Sequence, residues 1–406
     1  MRSSTLLAVA LPLACTSTEP PPGPSPSPTA MPLPDPLEAE PPRHAAVTPI
    51  PSDCVLTTRA LETPAIHPGL LAVAPQYFHA PHRGGFDAFT GGTSFPWFDV
   101  HSLGTPIESP PGSRISASTA SSLFPVSGDR QLGVQARAGG AVRWSGQALY
   151  PEQAVDGHEG HRFVLAHSGT TWQVVDFDDA NEAHVYDLGV PETTWDVRLA
   201  VTHDGQPAVA WLERQGGRLR VMLSMDFTGR RTVSVDEVEV PVGVAELSQR
   251  TSVDLALTAS GPRGIAVAWR PLVDTTYTDF GDRSTPPTTA AAAAVRWLEV
   301  KTNDGRPTVH SHQTRAHPLG GVSGVGPWAL SSNGMKAATF GGRGLFVWHD
   351  DGAIYAVGSH QSTPVALLPG DGAPLLTFRE TDQGLELLLL DSSPRVRAVA
   401  IACAPP

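Results

Sequence analysis

The chain has 406 residues, enough for one large domain or two ordinary ones, and its 40 Pro and 39 Gly beside only 17% charged residues are unlike the balance of a helical enzyme. The formal net charge of -12 argues against nucleic acid as a partner, because that partner needs a basic surface to displace condensed counterions.

Met1 and Arg2 give a positive start, and Leu6 to Leu13 are apolar except for Pro12. The run is too short to cross a bilayer as a helix and reads as a signal peptide over residues 1–14. It ends in Leu11-Pro12-Leu13-Ala14-Cys15. That ending resembles the lipobox of bacterial lipoproteins, in which a small residue precedes a cysteine that is lipidated and becomes the mature N-terminus. Ala14 and Cys15 fit; Pro12 stands where the family has an aliphatic residue, usually Leu. The resemblance implies lipidation at Cys15 and a place in the cell envelope, at the outer membrane or cell surface. The competing reading is ordinary cleavage nearby and a periplasmic or secreted protein.

Residues 15–53 form the next segment, rich in Pro and Ser and nearly free of large apolar groups. It cannot bury enough surface to offset its ordering entropy, so it is expected to be a disordered, semi-rigid spacer. Of the three cysteines, Cys54 and Cys403 bracket the remaining 54–406. In an oxidising compartment such a pair can form a disulfide; two free buried thiols are the alternative.

From Ile66 onward, short apolar runs alternate with Gly, Asp and Asn turns, and long amphipathic helical patterns are absent. Val197 to Trp211 reads as strand, Asp204-Gly205 turn, and a second strand ending in an aromatic; Val365 to Phe378 repeats it around Asp371-Gly372. Related turns fall near 129, 168, 260 and 333. Gly229-Arg-Arg-Thr-Val233 and Gly305-Arg-Pro-Thr-Val309 mark a shared turn between a third and a fourth strand. The unit is therefore four antiparallel strands, and its period of about 40 residues suits a propeller blade. The expected fold is all-β: a β-propeller of seven blades, with six or eight open, whose most divergent blade lies between His67 and Leu103. The insert Thr275 to Thr289 is expected to separate two strands of one blade. A strand near Val55 and a C-terminal strand ending at Cys403 are expected to pair and close the ring.

The repeat resembles the broad propeller superfamily without matching a named family. The sialidase-type Asp-box is not met, because Asp204 and Gly205 are adjacent, and the Trp-Asp pair of WD40 repeats occurs once, at Trp195-Asp196. The resemblance implies a fold and no activity.

Few residues carry a chemical pattern. His79 and His82, near Asp87, could hold a metal, but Pro81, Gly84 and Gly85 suggest an irregular loop. His158-Glu159-Gly160-His161 is one residue short of the helical zinc-protease spacing and reads as a polar connection. His310 and His312 share a strand face, where solvent is the simpler partner. The acidic run Asp176 to Glu182 could take calcium, though a charged hairpin is simpler, and no cofactor is assigned. Trp211, Trp269 and Trp348 end apolar strands and are expected in the core; Trp97, in an irregular segment, is the best aromatic for an exposed contact. With no nucleophile elbow or phosphate loop, the reading favours a non-enzyme: a lipid-anchored monomer that binds or scaffolds a protein or glycan. The alternative is an extracellular propeller hydrolase or lyase acting on polysaccharide.

Overall fold

Twenty-nine β-strands and no helix make up the regular structure of the described residues in the computed structural model. These are residues 56–65, 79–82, 85–91, 98–102, 105–178, 182–191, 194, 197–215, 218–227, 231–239, 253–271, 294–303, 306–308, 315–318, 335–350, 353–368, 375–381, 384–390 and 395–403.

The first strand is β1 (Leu56–Ala65). Blade 1 follows with β2 (His79–His82), β3 (Gly85–Gly91), β4 (Phe98–Ser102) and β5 (Thr105–Pro106). Blade 2 holds β6 (Ser113–Ser118), β7 (Ser122–Ser127), β8 (Gln131–Ala136) and β9 (Arg143–Ala148). Blade 3 holds β10 (Tyr150–Asp156), β11 (Arg162–His167), β12 (Thr171–Phe177) and β13 (Ala183–Pro191). Blade 4 holds β14 (Arg198–Val201), β15 (Pro207–Gln215), β16 (Arg218–Asp226) and β17 (Arg231–Glu239). In blade 5, β18 (Val253–Ala259), β19 (Gly264–Pro271) and β20 (Ala294–Asn303) are followed by β21 (Arg306–Thr308) and β22 (Arg315–Pro318), which share the outer edge of β20. Blade 6 holds β23 (Lys336–Phe340), β24 (Arg343–Asp350), β25 (Ala353–Gly358) and β26 (Val365–Leu368). Blade 7 holds β27 (Leu375–Thr381), β28 (Gly384–Leu390) and β29 (Arg395–Cys403), and β1 fills its outer place.

There are thus seven antiparallel sheets, six of four strands and one of five. The innermost strands β6, β10, β14, β18, β23, β27 and β2 stand side by side in that order, and β4 meets β6 to complete the circle. This is a seven-bladed β-propeller. Blade 7 is closed by the two ends of the chain, with Leu56 opposite Cys403 and Leu61 opposite Ala398, the pairing expected from the sequence. The described part of the His67–Leu103 segment does lie in a blade, and β19 and β20, the strands on either side of the 275–289 insert, pair directly; the insert itself lies outside the described residues.

One sequence expectation is corrected. The turns near 204 and 260 are first hairpins of their blades, but those near 129 and 168 are second hairpins. Position 371 falls between β26 and β27, which belong to different sheets, and 333 precedes the innermost strand β23. Both lie outside the described residues. The six anchors are not one recurring turn. All hairpins of a blade draw on the same turn residues, so turn chemistry alone cannot say which hairpin is seen.

The core lies between blades, not within them. A strand buried on both faces sends alternate side chains to opposite neighbours. Ile265, Val267 and Trp269 of β19 join the cluster shared with blade 4, whereas Ala266 and Ala268 join the one shared with blade 6. In β15, Val209 and Trp211 pack with blade 3, and Ala208 and Ala210 with blade 5. In β24, Phe346 and Trp348 pack with blade 5. Trp269, Phe346 and Trp348 thus face the preceding blade and meet alanines there, whereas Trp211 meets Phe163 and Leu165 of blade 3. The expected core tryptophans Trp211, Trp269 and Trp348 are all buried. Gly344 is forced by the same crowding: a Cβ there would come within 2.4 Å of the Ala266 Cβ.

Candidate functional site

The residues flagged in the sequence fare unevenly. Cys15, Cys54, Trp97, His310 and His312 lie outside the described residues. His79 and His82 do not sit in an irregular loop: they are the ends of β2, the innermost strand of blade 1, opposite Ala88 and Gly85. His158 to His161 is the polar hairpin connection expected, with positive φ at Glu159 (51°) and Gly160 (79°). The Asp176–Glu182 run is a hairpin between β12 and β13. Asp176 holds His161 (Nδ1 to Oδ1 2.8 Å), and Asp178 caps its own turn by accepting the Glu182 amide (3.0 Å). Tyr186 beside it has its phenol pushed up, first by burial and then by the Asp176 charge. Among the described residues, no group of three or more His, Cys, Asp or Glu is placed to hold a metal ion.

The ring has two distinguishable faces. First hairpins of neighbouring blades touch: Arg263 reaches Asp204 (3.5 Å), and the Gly261 amide donates to the Gly342 carbonyl (2.7 Å). The innermost strands therefore run in the same direction, with their ends on this first-hairpin face and their beginnings on the other.

Three carboxylates join blades. Asp156 of blade 3 accepts the hydroxyls of Thr119 (2.7 Å) and Ser121 (2.6 Å) from blade 2. Asp236 of blade 4 accepts two bonds from Arg296 (2.7 and 3.0 Å) and one from Trp269 Nε1 (2.8 Å), both in blade 5. Glu299 of blade 5 accepts Ser359 of blade 6 (2.6 Å). Between blades 3 and 4 the Gln153 amide pairs with both backbone groups of Leu199 (2.8 and 2.9 Å). A charge-assisted bond placed across a boundary resists sliding of the two sheets.

The opposite face, where the innermost strands begin, carries different equipment. Charged residues stand at or near the starts of these strands: Arg114, Glu152, Arg198 and Lys336, all half-buried. At the boundary of blades 2 and 3 they are joined by aromatic groups. Glu152 faces His167 (Oε1 to Nε2 3.4 Å). The His167 ring stacks on Tyr150 (5.1 Å) and meets the edge of Trp172 (5.3 Å). The guanidinium of Arg130, an exposed residue held at φ 65° in the second hairpin of blade 2, lies over the Tyr150 ring (5.4 Å). This mouth offers a carboxylate, an imidazole, a cation and stacked rings within one small area, a set suited to a polar, hydroxyl-bearing ligand. The sequence did not single out these residues, because they come from different hairpins and no spacing joins them.

No family model and no curated protein matches the chain. Among solved structures, the WD40 domain of Toxoplasma gondii coronin matches over 88% of this chain and 89% of its own, with TM-score 0.50 and 10% identity. The N-terminal domain of Nup159 covers 87% of this chain and 98% of its own at TM-score 0.43 and 10% identity. A catalytically inactive virginiamycin B lyase from Staphylococcus aureus covers 86% and 100% at 0.44 and 9%. At such identities a likeness is one of fold, and that of the coronin domain agrees with the seven sheets and their ring: the chain is a β-propeller.

Proposed function

We propose that this protein is a binding or scaffold module of the bacterial cell envelope, tethered through lipid on Cys15 and presenting the strand-start mouth of its propeller to a glycan or protein partner. The observation that carries the reading is the Arg130–Tyr150–His167–Glu152 group at the mouth. Rings on which a sugar face or an apolar side chain can rest, next to a carboxylate that orients hydroxyls or amides, are the usual means of binding such partners. The spacer of residues 15–53 gives the ring reach from the membrane, and a Cys54–Cys403 disulfide fastens the β1–β29 pairing in an oxidising compartment. The protein acts as a monomer.

The test is a glycan array and an envelope-protein overlay with the full-length protein, beside Tyr150→Ala and Glu152→Gln. Binding by the parent that both variants lose supports the reading; ligand retained by both variants rejects the mouth as the site. One observation favours a second reading, a polysaccharide hydrolase or lyase: the carboxylate of Glu152 and the imidazole of His167 stand together at the mouth, as acid–base chemistry requires. Release of new reducing or unsaturated ends from a bound polysaccharide, abolished by Glu152→Gln, would select it.

A further inference from the structure

Glu299 stands on β20 opposite Ala266, near the first-hairpin edge of blade 5. Its Oε1 accepts two hydroxyls at 2.6 Å, from Ser260 in the first hairpin of its own blade and from Ser359 in the turn after β25 of blade 6. Arg343 of blade 6 places Nη1 3.4 Å from both carboxylate oxygens. Ser260 Oγ also accepts the Gly344 amide of blade 6 (3.2 Å), beside the Gly261-to-Gly342 backbone bond. Hydroxyl bonds of this length are those made to an ionised carboxylate. A neutral acid here would set its own proton among groups that already donate, opposite a guanidinium that can only donate.

We propose that this edge of the blade 5–6 boundary is a proton-operated seam, closed while Glu299 is ionised and opened locally once it is protonated. The apolar cluster of Ala266, Ala268, Phe346 and Trp348 lies in the same boundary and acts as the hinge. The charged groups that face Glu299 are Arg343 from β24 and His360 from the turn after β25. On its own strand the nearest charge is the exposed Lys301, and Arg263 of the adjoining hairpin turns instead to Asp204. Burial pushes the Glu299 carboxyl up, but the Ser260 and Ser359 hydroxyls, then Arg343 and His360, outweigh it and hold the group below the ordinary glutamate range. A carboxyl lowered on folding stabilises the fold above its unfolded value, about 4.3, and that contribution is lost as pH falls through the lowered value.

The experiment is amide hydrogen exchange on the full chain from pH 6 to pH 3, expressed as protection relative to the unstructured rate. The reporters are Gly261 and Gly344; the amides of Phe346 and Trp348 report the hinge. In the parent, protection at the reporters falls by up to about tenfold per pH unit between about 4.3 and the lowered value and then levels off, while the hinge holds. Glu299→Gln starts with weak reporters at pH 6 and shows no acid step. Glu237→Gln, at a carboxyl held low by Arg220 and Arg218 within blade 4, steps like the parent. Reporters that fail only together with the hinge, or an acid step that survives in Glu299→Gln, overturn the proposal. Should Glu299→Gln not fold, the order of reporter and hinge loss in the parent decides alone.

Discussion

Replacing Trp269 by Ala tests whether the ring is held by packing between blades. The side chain is fully buried (0% exposed) in the cluster shared by blades 4 and 5. Its Nε1–H donates to Asp236 across the boundary (2.8 Å), and Arg296 lies 5.9 Å from the ring centre. Truncating a buried tryptophan costs about 3–5 kcal/mol in lost burial and residual cavity. A hydrogen bond to a charged acceptor contributes about 1.5–3 kcal/mol. The lower end applies here, because Asp236 keeps both bonds from Arg296 and is not left bare. The expected total is about 4.5–6.5 kcal/mol, a large share of the 5–15 kcal/mol that holds a typical domain. Trp269→Phe keeps most of the ring and loses the bond, so it should cost about 1–3 kcal/mol. Urea unfolding followed by far-UV circular dichroism and by fluorescence measures both, and coincident curves license the two-state reading. A Trp269→Ala loss below about 1 kcal/mol, or a Phe variant as damaged as the Ala variant, would refute packing as the source.

Four further outcomes are expected. Cys15→Ser should move the protein from the membrane fraction to the soluble one, and the native mature mass should include lipid; an unlipidated native mass rejects the anchor. Cys54 and Cys403 should resist alkylation until reduced, and reduction should cost up to about 5 kcal/mol, less any strain; free thiols in the native protein reject the bond. Deleting residues 275–289 should change stability by less than about 1 kcal/mol, since β19 and β20 pair without it; a loss of several kcal/mol would mean the segment is packed. Gly344→Ala should destabilise by about 1–3 kcal/mol through overpacking against Ala266, and Ala266→Gly should recover part of that loss.

What could be read in advance follows from where the information sits. The all-β class and the closing pair were legible because each strand writes its burial into a few consecutive residues, as Ala-Val-Ala-Trp211 does, whereas the count of seven rested on turns that belong to different hairpins of their blades. The Gly-Arg-x-Thr-Val turns were assigned correctly in both blades, since they join β16 to β17 and β20 to β21. Hairpin identity was not legible, because Asp204-Gly205 and Ser168-Gly169 use the same positive φ at different places in a blade. The mouth was hidden for another reason. Arg130, Tyr150, Glu152 and His167 are ordinary residues whose meaning depends on two hairpins and a strand start meeting in space. His79 and His82 were misread as loop because Pro81 in so short a run weakens any strand signal, although an edge position tolerates it; β2 has β3 on one side only.

The pairing of β1 with β29 also sets the order in which this molecule can be made. β1 leaves the ribosome before every other strand of the ring, and β29 after all of them. A chain delivered N-terminus first must carry β1 unpartnered while six blades take shape, and the ladder from Leu56–Cys403 to Ala65–Arg395 is the last to form. Contacts of such sequence separation are slow to close, and an open strand edge waiting for its partner invites pairing with other chains. A newly delivered copy therefore passes through a stage in which it is nearly complete and most prone to join its neighbours.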